Sequence, residues 1–199
     1  SPDAVHLRSA GRSVLPGTGV AGALRKQALR IARVVREQQG DAERWVERLF
    51  GPRTEGVTNK ANLHASRLRV AESVIADGMR MRHSRVRIDR FTQGVVPGAL
   101  FDEEPEFGGR VRLGIELREP EPGELGLLLL LLKDLLSGEL AVGGTSAVGR
   151  GRFRGSAMLT LEDGRTVTLD PTRPVDSIID EAIAALHSSP VLGGSNEVH

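Results

Sequence analysis

The sequence predicts an α+β protein, a mainly antiparallel sheet with helices on one face. Three observations carry that prediction. Apolar residues recur at helical spacing in three separated stretches, while the segments between them alternate with a period of two. The order that results is helix, strands, helix, strands, helix, with one more strand expected ahead of the first helix. Finally, Asp163-Gly164 sits between two β-rich runs, a two-residue hairpin signal that implies antiparallel neighbours.

Taken in order, residues 1–14 read as extended, and Pro16-Gly17 marks a turn. From Gly19 to about Gln38, Leu24, Ala28, Ile31 and Val35 define one helical face, and Lys26, Arg30 and Arg33 lie on another. A shorter helix is expected over Asp41–Leu49, stopped by Gly51-Pro52. Residues 51–66 are polar and turn-rich, as in a mobile loop. Strand texture follows over 67–75 and 79–91, clearest in Arg85-Val86-Arg87-Ile88-Asp89. In 110–118, Val111, Leu113, Ile115 and Leu117 share one side. Glu121-Pro122-Gly123-Glu124 opens a helix that Gly138 is placed to end. A glycine-rich loop at 143–151 leads to a strand at 152–162. Val175, Ile178, Ile179, Ala182, Ile183 and Leu186 then mark an amphipathic helix. Residues 1–187 read as a single domain, and 188–199 as a disordered tail.

Composition narrows the functional classes. With 199 residues the chain suits one domain with a sizeable core. It contains no cysteine, which excludes disulfides and thiolate metal sites and fits a reducing cytoplasm. The five histidines (His6, His64, His83, His187, His199) have no ligand spacing. No secretory signal is visible, and the apolar run from Leu125 to Leu132 is too short to span a membrane; it reads as a buried helix. The net charge of +1 conceals an asymmetry: residues 1–100 carry 18 basic and 9 acidic side chains, residues 101–199 carry 9 and 17. Only Lys26, Lys60 and Lys133 are lysine. Arginine suits phosphate forks and base stacking, although a GC-rich genome would also enrich it.

Gly17-x-Gly19-x-x-Gly22 has the spacing of a dinucleotide fingerprint, which requires a buried strand before it and a βαβ crossover after it. Ser13-Val14-Leu15 is short, Pro16 interrupts it, and strands rather than a second βαβ unit follow. A dinucleotide-binding enzyme is therefore a distant alternative. Glycine here frees amides at a helix N-terminus for a phosphate, with Thr18 among them. Gly22 permits close approach, and Arg25 and Lys26 add charge; a plain strand-to-helix turn is the competing reading. The stretch "AVGGTSAVGRGRFRG" sets Gly144 among other glycines, beside Arg150, Arg152 and Arg154. It lacks the Gly-Lys-Ser/Thr of a nucleotide-triphosphate loop. A side-chain-poor loop with alternating arginines can follow a phosphate backbone, or form a bulged edge strand. Two such segments on a chain with a basic first half favour nucleic acid over a small cofactor.

Three stretches resemble a known family. "VLPGTGVAGALR" is similar to the P-G-[ST]-S-x-x-G-x-x-R signature of the RAMP superfamily of CRISPR effector complexes. "RVRIDRFTQGVVPGALFDEEPEFGG" resembles its IDR-x-T-G-G…G-A-L-F-x-x-E segment, and "GGTSAVGRGRFRG" its C-terminal glycine-rich loop. They occur in the family's order over residues 3 to about 155, nearest to the RNA-cleaving backbone subunits of type III systems. The resemblance implies an RRM-like, ferredoxin-like core with a thumb hairpin at about 89–109. It also implies stacking with other RAMP subunits along a CRISPR RNA, each thumb wedging into the guide–target duplex. In active members an aspartate cuts single-stranded target RNA with a divalent metal, Mg2+ or Mn2+, leaving a cyclic phosphate. Antiviral defence in the cytoplasm, without a membrane, goes with that role.

Carried over by residue, "DAVHLRSAGRSVLPGT" sets Asp3 in the catalytic and metal-binding position; a solvated residue at a chain end is the alternative. Arg90, Phe91, Thr92 and Gln93 fall in the thumb, with Phe91 and Val95 as wedges between bases. Gln93 departs from the family's Thr-Gly-Gly, and Asp89 and Arg90 are also readable as a local ion pair. Asp102, Glu103, Glu104 and Glu106 form an acidic cluster, readable as a two-metal site, a solvated loop or a subunit contact. Family members open with a strand and a glycine-containing loop before the aspartate, whereas this sequence opens at Ser1-Pro2-Asp3. That departure implies a trimmed start, one part of a multi-RAMP protein, or a strand supplied from elsewhere. A non-catalytic guide-RNA scaffold is the alternative to an endoribonuclease.

Overall fold

A computed structural model describes residues 2–35, 39–52, 63–121, 123–174 and 177–188. Most of the expected mobile loop (53–62) and nearly all of the expected tail (189–199) lie outside the described residues, as does Val175. The elements are β1 (Ala4–Val5), β2 (Arg8–Ser9), β3 (Arg12–Leu15), α1 (Gly17–Val35), α2 (Gln39–Phe50), β4 (Leu68–Val70), β5 (Ser73–Arg80), β6 (His83–Ile88), β7 (Val95–Glu104) and β8 (Glu106–Val111). After them come β9 (Ile115–Leu117), α3 (Glu124–Ser137), β10 (Ala157–Thr160), β11 (Thr166–Leu169) and α4 (Ser177–Ser188). The class is α+β with antiparallel sheets, consistent with an RRM-like, ferredoxin-like fold. The chain divides into two compact units, residues 1–18 with 70–114 and residues 19–69 with 115–199.

The first unit is nearly all strand. One sheet runs β2-β3-β5-β8, antiparallel throughout; the other runs β1-β7-β6, with β6 and β7 antiparallel and β1 parallel to β7. Few of its side chains are buried, chiefly Val14, Leu15, Ser73 and Ala99. A tight turn at Ala10-Gly11, both with positive φ, folds the expected extended start into the β2–β3 hairpin. Gly17 at the head of α1 is buried because a Cβ there would lie 2.1 Å from the Val70 carbonyl oxygen. Opposite one another in the β5–β8 ladder, Asp77 (φ 57) and Gly109 (φ 84) both leave the extended region, with Gly108 (φ 62) beside them.

The second unit holds the large core. Val20, Leu24, Ala28 and Ala32 recur along α1, and Ala42, Trp45, Val46 and Leu49 along α2, all buried. The leucine-rich helix α3 is buried almost all round, as its composition requires, with Leu127, Leu131 and Leu135 fully enclosed. Gly126 lets α4 approach closely, since a Cβ there would meet the Ala182 carbonyl oxygen at 2.1 Å. Glu124, fully buried at the head of α3, pairs with Arg67 and accepts the Glu121 amide at 2.9 Å. Burial pushes its carboxyl above the ordinary range against the pull of Arg67 and Arg48. Gly138, at φ 82, ends α3 as the sequence predicts.

Three local expectations change. The alternating run 110–118 is two strands, β8 and β9, because its partners are themselves interrupted at Ala71–Glu72; Ala71 bonds Gly114 at 2.9 Å at the step. Within the expected strand 152–162 only Ala157–Thr160 pairs with β11, while Arg152 makes one isolated bridge to Ala141. The β10–β11 connection is a three-residue loop, closed by the Leu161 amide on the Arg165 carbonyl at 2.8 Å, with Gly164 alone in the left-handed region.

Candidate nucleic-acid interface

Asp3 is exposed in the first unit and fixed to β7 by two hydrogen bonds. Its amide donates to the Asp102 carbonyl at 2.7 Å, and its carboxylate accepts the Asp102 amide at 2.8 Å. The side chain of Asp102 accepts from Ser84 Oγ at 2.6 Å and from Arg82 Nη2 at 2.5 Å. Ser84 foremost, with Arg82, holds the Asp102 carboxyl below its ordinary range.

The acidic cluster, for which a two-metal site is one of three sequence readings, is tied up in ion pairs and hydrogen bonds. Arg82 meets Asp102, Arg85 meets Glu103 at 3.4 Å, Arg80 meets Glu104 at 4.0 Å, and Glu106 accepts from Ser13 at 2.7 Å. Among the described residues no three histidine or acidic side chains converge on a metal position. A divalent ion at Asp3 would therefore take one protein carboxylate and complete its shell with RNA oxygens and water, a donor set that fits Mg2+ or Mn2+.

Arg90, Phe91, Thr92 and Gln93 form the tip of the β6–β7 hairpin, and all are exposed. Asp89 organises the tip by accepting the Phe91 and Thr92 amides, each at 2.8 Å; the Thr92 bond leads in holding its carboxyl below the ordinary range. Asp89 is thus a turn-forming side chain, and no ion pair joins it to Arg90. Gln93 takes a left-handed conformation (φ 54), which glycine adopts more readily. Phe91 stands 93% exposed at the apex. Behind it Val86 faces Leu100 and Ile88 faces Val95, four exposed apolar side chains on one face of the hairpin.

In the second unit Thr18 (the last residue of the first), Gly19, Gly22 and Lys26 fall successively along the exposed side of α1, continued by Arg30; Arg25 is half-buried. Among the described residues nothing lies within 4 Å of a Cβ built on Gly22, so none of them makes the close approach it permits. In the glycine-rich loop Gly143 and Gly149 take positive φ, Gly144 is exposed with open space at its Cβ, and Gly151 presses against Val142. Arg152 is tied down, donating to the Gly138 carbonyl at the end of α3. Arg154 is exposed, and Arg150 is half-buried.

Helix α1 and the glycine-rich loop each bond to the C-terminal part of α3. Gln27 of α1 donates to Asp134 of α3 at 2.6 Å, and Arg152 holds Gly138 four residues on, about 6 Å along the axis. Gln27, Arg82 and Ser84 were not visible as site residues in the sequence, and Asp102 was legible only as one of an acidic cluster. Their roles come from strand register and helix packing, which leave no local signal. Among the described residues no helix is long and apolar enough to cross a membrane.

A family model of the RAMP superfamily matches residues 3–154, from Asp3 to Arg154, and so covers every candidate position above. No curated protein shows a significant match to the chain.

Proposed function

This chain belongs to the RAMP superfamily, a CRISPR-associated family of RNA-binding proteins, and from that premise we propose that it is an RNA-cleaving backbone subunit of a type III effector. Lys26, Arg25 and the helix start from Gly17 to Gly22 contact the phosphates of a CRISPR RNA, together with Gly144, Arg150, Arg152 and Arg154. The β6–β7 hairpin is the thumb, and Phe91 at its apex wedges between bases of the guide–target duplex. Further RAMP subunits cover the exposed apolar face of that hairpin.

Asp3 supports cleavage of the target strand. The 2′-oxygen of one nucleotide attacks the adjacent phosphorus and loses its proton, while the bond from phosphorus to the 5′-oxygen breaks and that oxygen gains a proton. The products are a 2′,3′-cyclic phosphate and a 5′-hydroxyl. A divalent ion, when bound, would supply charge neutralisation at the phosphate. Asp3's share is an anchored carboxylate beside the attacking hydroxyl. The observation that carries this reading is the pair of hydrogen bonds from Asp3 to β7, which fixes the carboxylate relative to the element that meets the duplex.

Purification of the full assembly from its own host, followed by deproteinisation and sequencing of the released nucleic acid, tests the assignment. Short RNAs bearing CRISPR repeat sequence are expected; an intact assembly without RNA would sink it. A finer check is Arg154→Ala, which should weaken RNA binding and reduce the slope of log K against log salt by about 1, as one lost phosphate contact does. An unchanged slope would remove Arg154 from the interface.

A further inference from the structure

The hydrogen bonds around Asp102 single out a second cation-bearing residue beside Asp3. Asp102 is bonded on both sides. Its amide holds the Asp3 carboxylate at 2.8 Å, and its own carboxylate holds Arg82 Nη2 at 2.5 Å with Ser84 Oγ at 2.6 Å. Asp3 and Arg82 are therefore fixed to the same residue, one through its backbone and one through its side chain. Arg82 is 58% exposed and is hydrogen-bonded to Asp102, with Glu104 adding a weaker electrostatic pull. A guanidinium has five N–H donors in a rigid fork, so the contact with Asp102 orients the group and leaves donors pointing to solvent. Its neighbours Arg80 and Arg85 pair with Glu104 and Glu103, further from the Asp3 bond, so of these arginines Arg82 is the one that shares a partner with Asp3.

We propose that Arg82 is a catalytic residue that binds the non-bridging oxygens of the scissile phosphate, and that Asp102 is a positioning residue setting Arg82 and Asp3 in fixed relation. The inference rests on the cleavage reading above. As the 2′-oxygen bonds to phosphorus, negative charge grows on the non-bridging oxygens until the bond to the 5′-oxygen breaks. An oriented guanidinium neutralises that charge without moving. Asp102 is spared the task of binding substrate, because its carboxylate is already occupied by Arg82 and Ser84.

The test uses the full effector loaded with guide RNA and a labelled target, comparing parent, Asp3→Ala, Arg82→Ala, Arg82→Lys and Asp102→Asn. Arg82 is exposed, so its variants are expected to assemble as the parent does. Arg82→Ala should lower single-turnover cleavage by about 10²–10³-fold, the loss typical of one oriented donor to a developing oxyanion. Guide binding should be unchanged, and added guanidinium ion should restore part of the rate. Arg82→Lys and Asp102→Asn should fall between Arg82→Ala and the parent. If Asp3→Ala is dead while Arg82→Ala cuts like the parent, the role of Arg82 is refuted and the cleavage reading stands. A slow Arg82→Ala enzyme that guanidinium does not rescue, with target affinity lowered in step, would make Arg82 structural and overturn the proposal. A parent that binds target and never cuts it would overturn both readings together.

Discussion

Replacing Asp3 with alanine is expected to lower target-RNA cleavage by about 10²–10⁴-fold, the range for loss of a positioned acid–base group, while guide binding is retained. Binding should survive because the proposed phosphate contacts come from cations and backbone amides, and removing an anion beside a phosphate does not weaken them. Folding should survive as well, since Asp3 is exposed and the Asp102 amide it releases can turn to water. Asp3→Asn sharpens the result by keeping an acceptor for that amide while removing the charge. Equal inactivity of both variants in Mg2+ or Mn2+ means that the charge matters. Activity retained in the asparagine variant means that anchoring does. If alanine cuts as fast as the parent, Asp3 leaves the mechanism.

The second large effect is on stability. Arg67 ties together three parts of the second unit: it donates to the Arg48 carbonyl at 3.3 Å, to the Glu119 carbonyl at 2.9 Å, and to the carboxylate of Glu124. Arg67→Ala strands that carboxylate, which is fully buried, and should destabilise the protein by about 3–5 kcal/mol. A typical domain has about 5–15 kcal/mol in all, so the variant should be close to unfolding. The pH dependence has a defined sign. Burial raises the folded-state pKa of Glu124, and losing Arg67 leaves only Arg48 to oppose it. The folded variant then holds a proton more tightly than the unfolded chain. Its penalty is absent below the unfolded pKa of about 4.3 and grows as pH rises towards the folded value. Urea midpoints should therefore recover as pH is lowered from 7 towards 5, and adding Glu124→Gln to Arg67→Ala should restore part of the loss at pH 7. A variant that unfolds with the parent at every pH would show that the pair contributes nothing.

What could be read from the sequence follows from how local each signal is. Helix α1 was legible because Leu24 and Ala28 repeat at four residues, and the stop at Gly138 because a left-handed cap favours glycine. The leucines of α3 announced their burial by composition alone. In contrast, the break between Val111 and Ile115 depends on where β4 and β5 stop, some forty residues earlier, and alternation ran straight through it. The acids at 102–106 looked like a cluster in one dimension, yet folding brings an arginine to three of them. Arg152 matched a basic loop by spacing, and only folding shows it holding the end of α3. Candidate positions were legible where a family motif named them, whereas the residues supporting Asp3 depend on strand pairing.

The second segment of the strand-built unit, residues 70–114, interrupts the helical unit between Arg69 and Ile115, and its ends are joined by the bond from Ala71 to Gly114. Such an excursion leaves and returns at one place, so its length enters the chain entropy of the helical unit as a loop closure. Doubling the excursion would add only about 0.6 kcal/mol to that closure. Natural drift or deliberate grafting can therefore lengthen or shorten it at small cost in chain entropy.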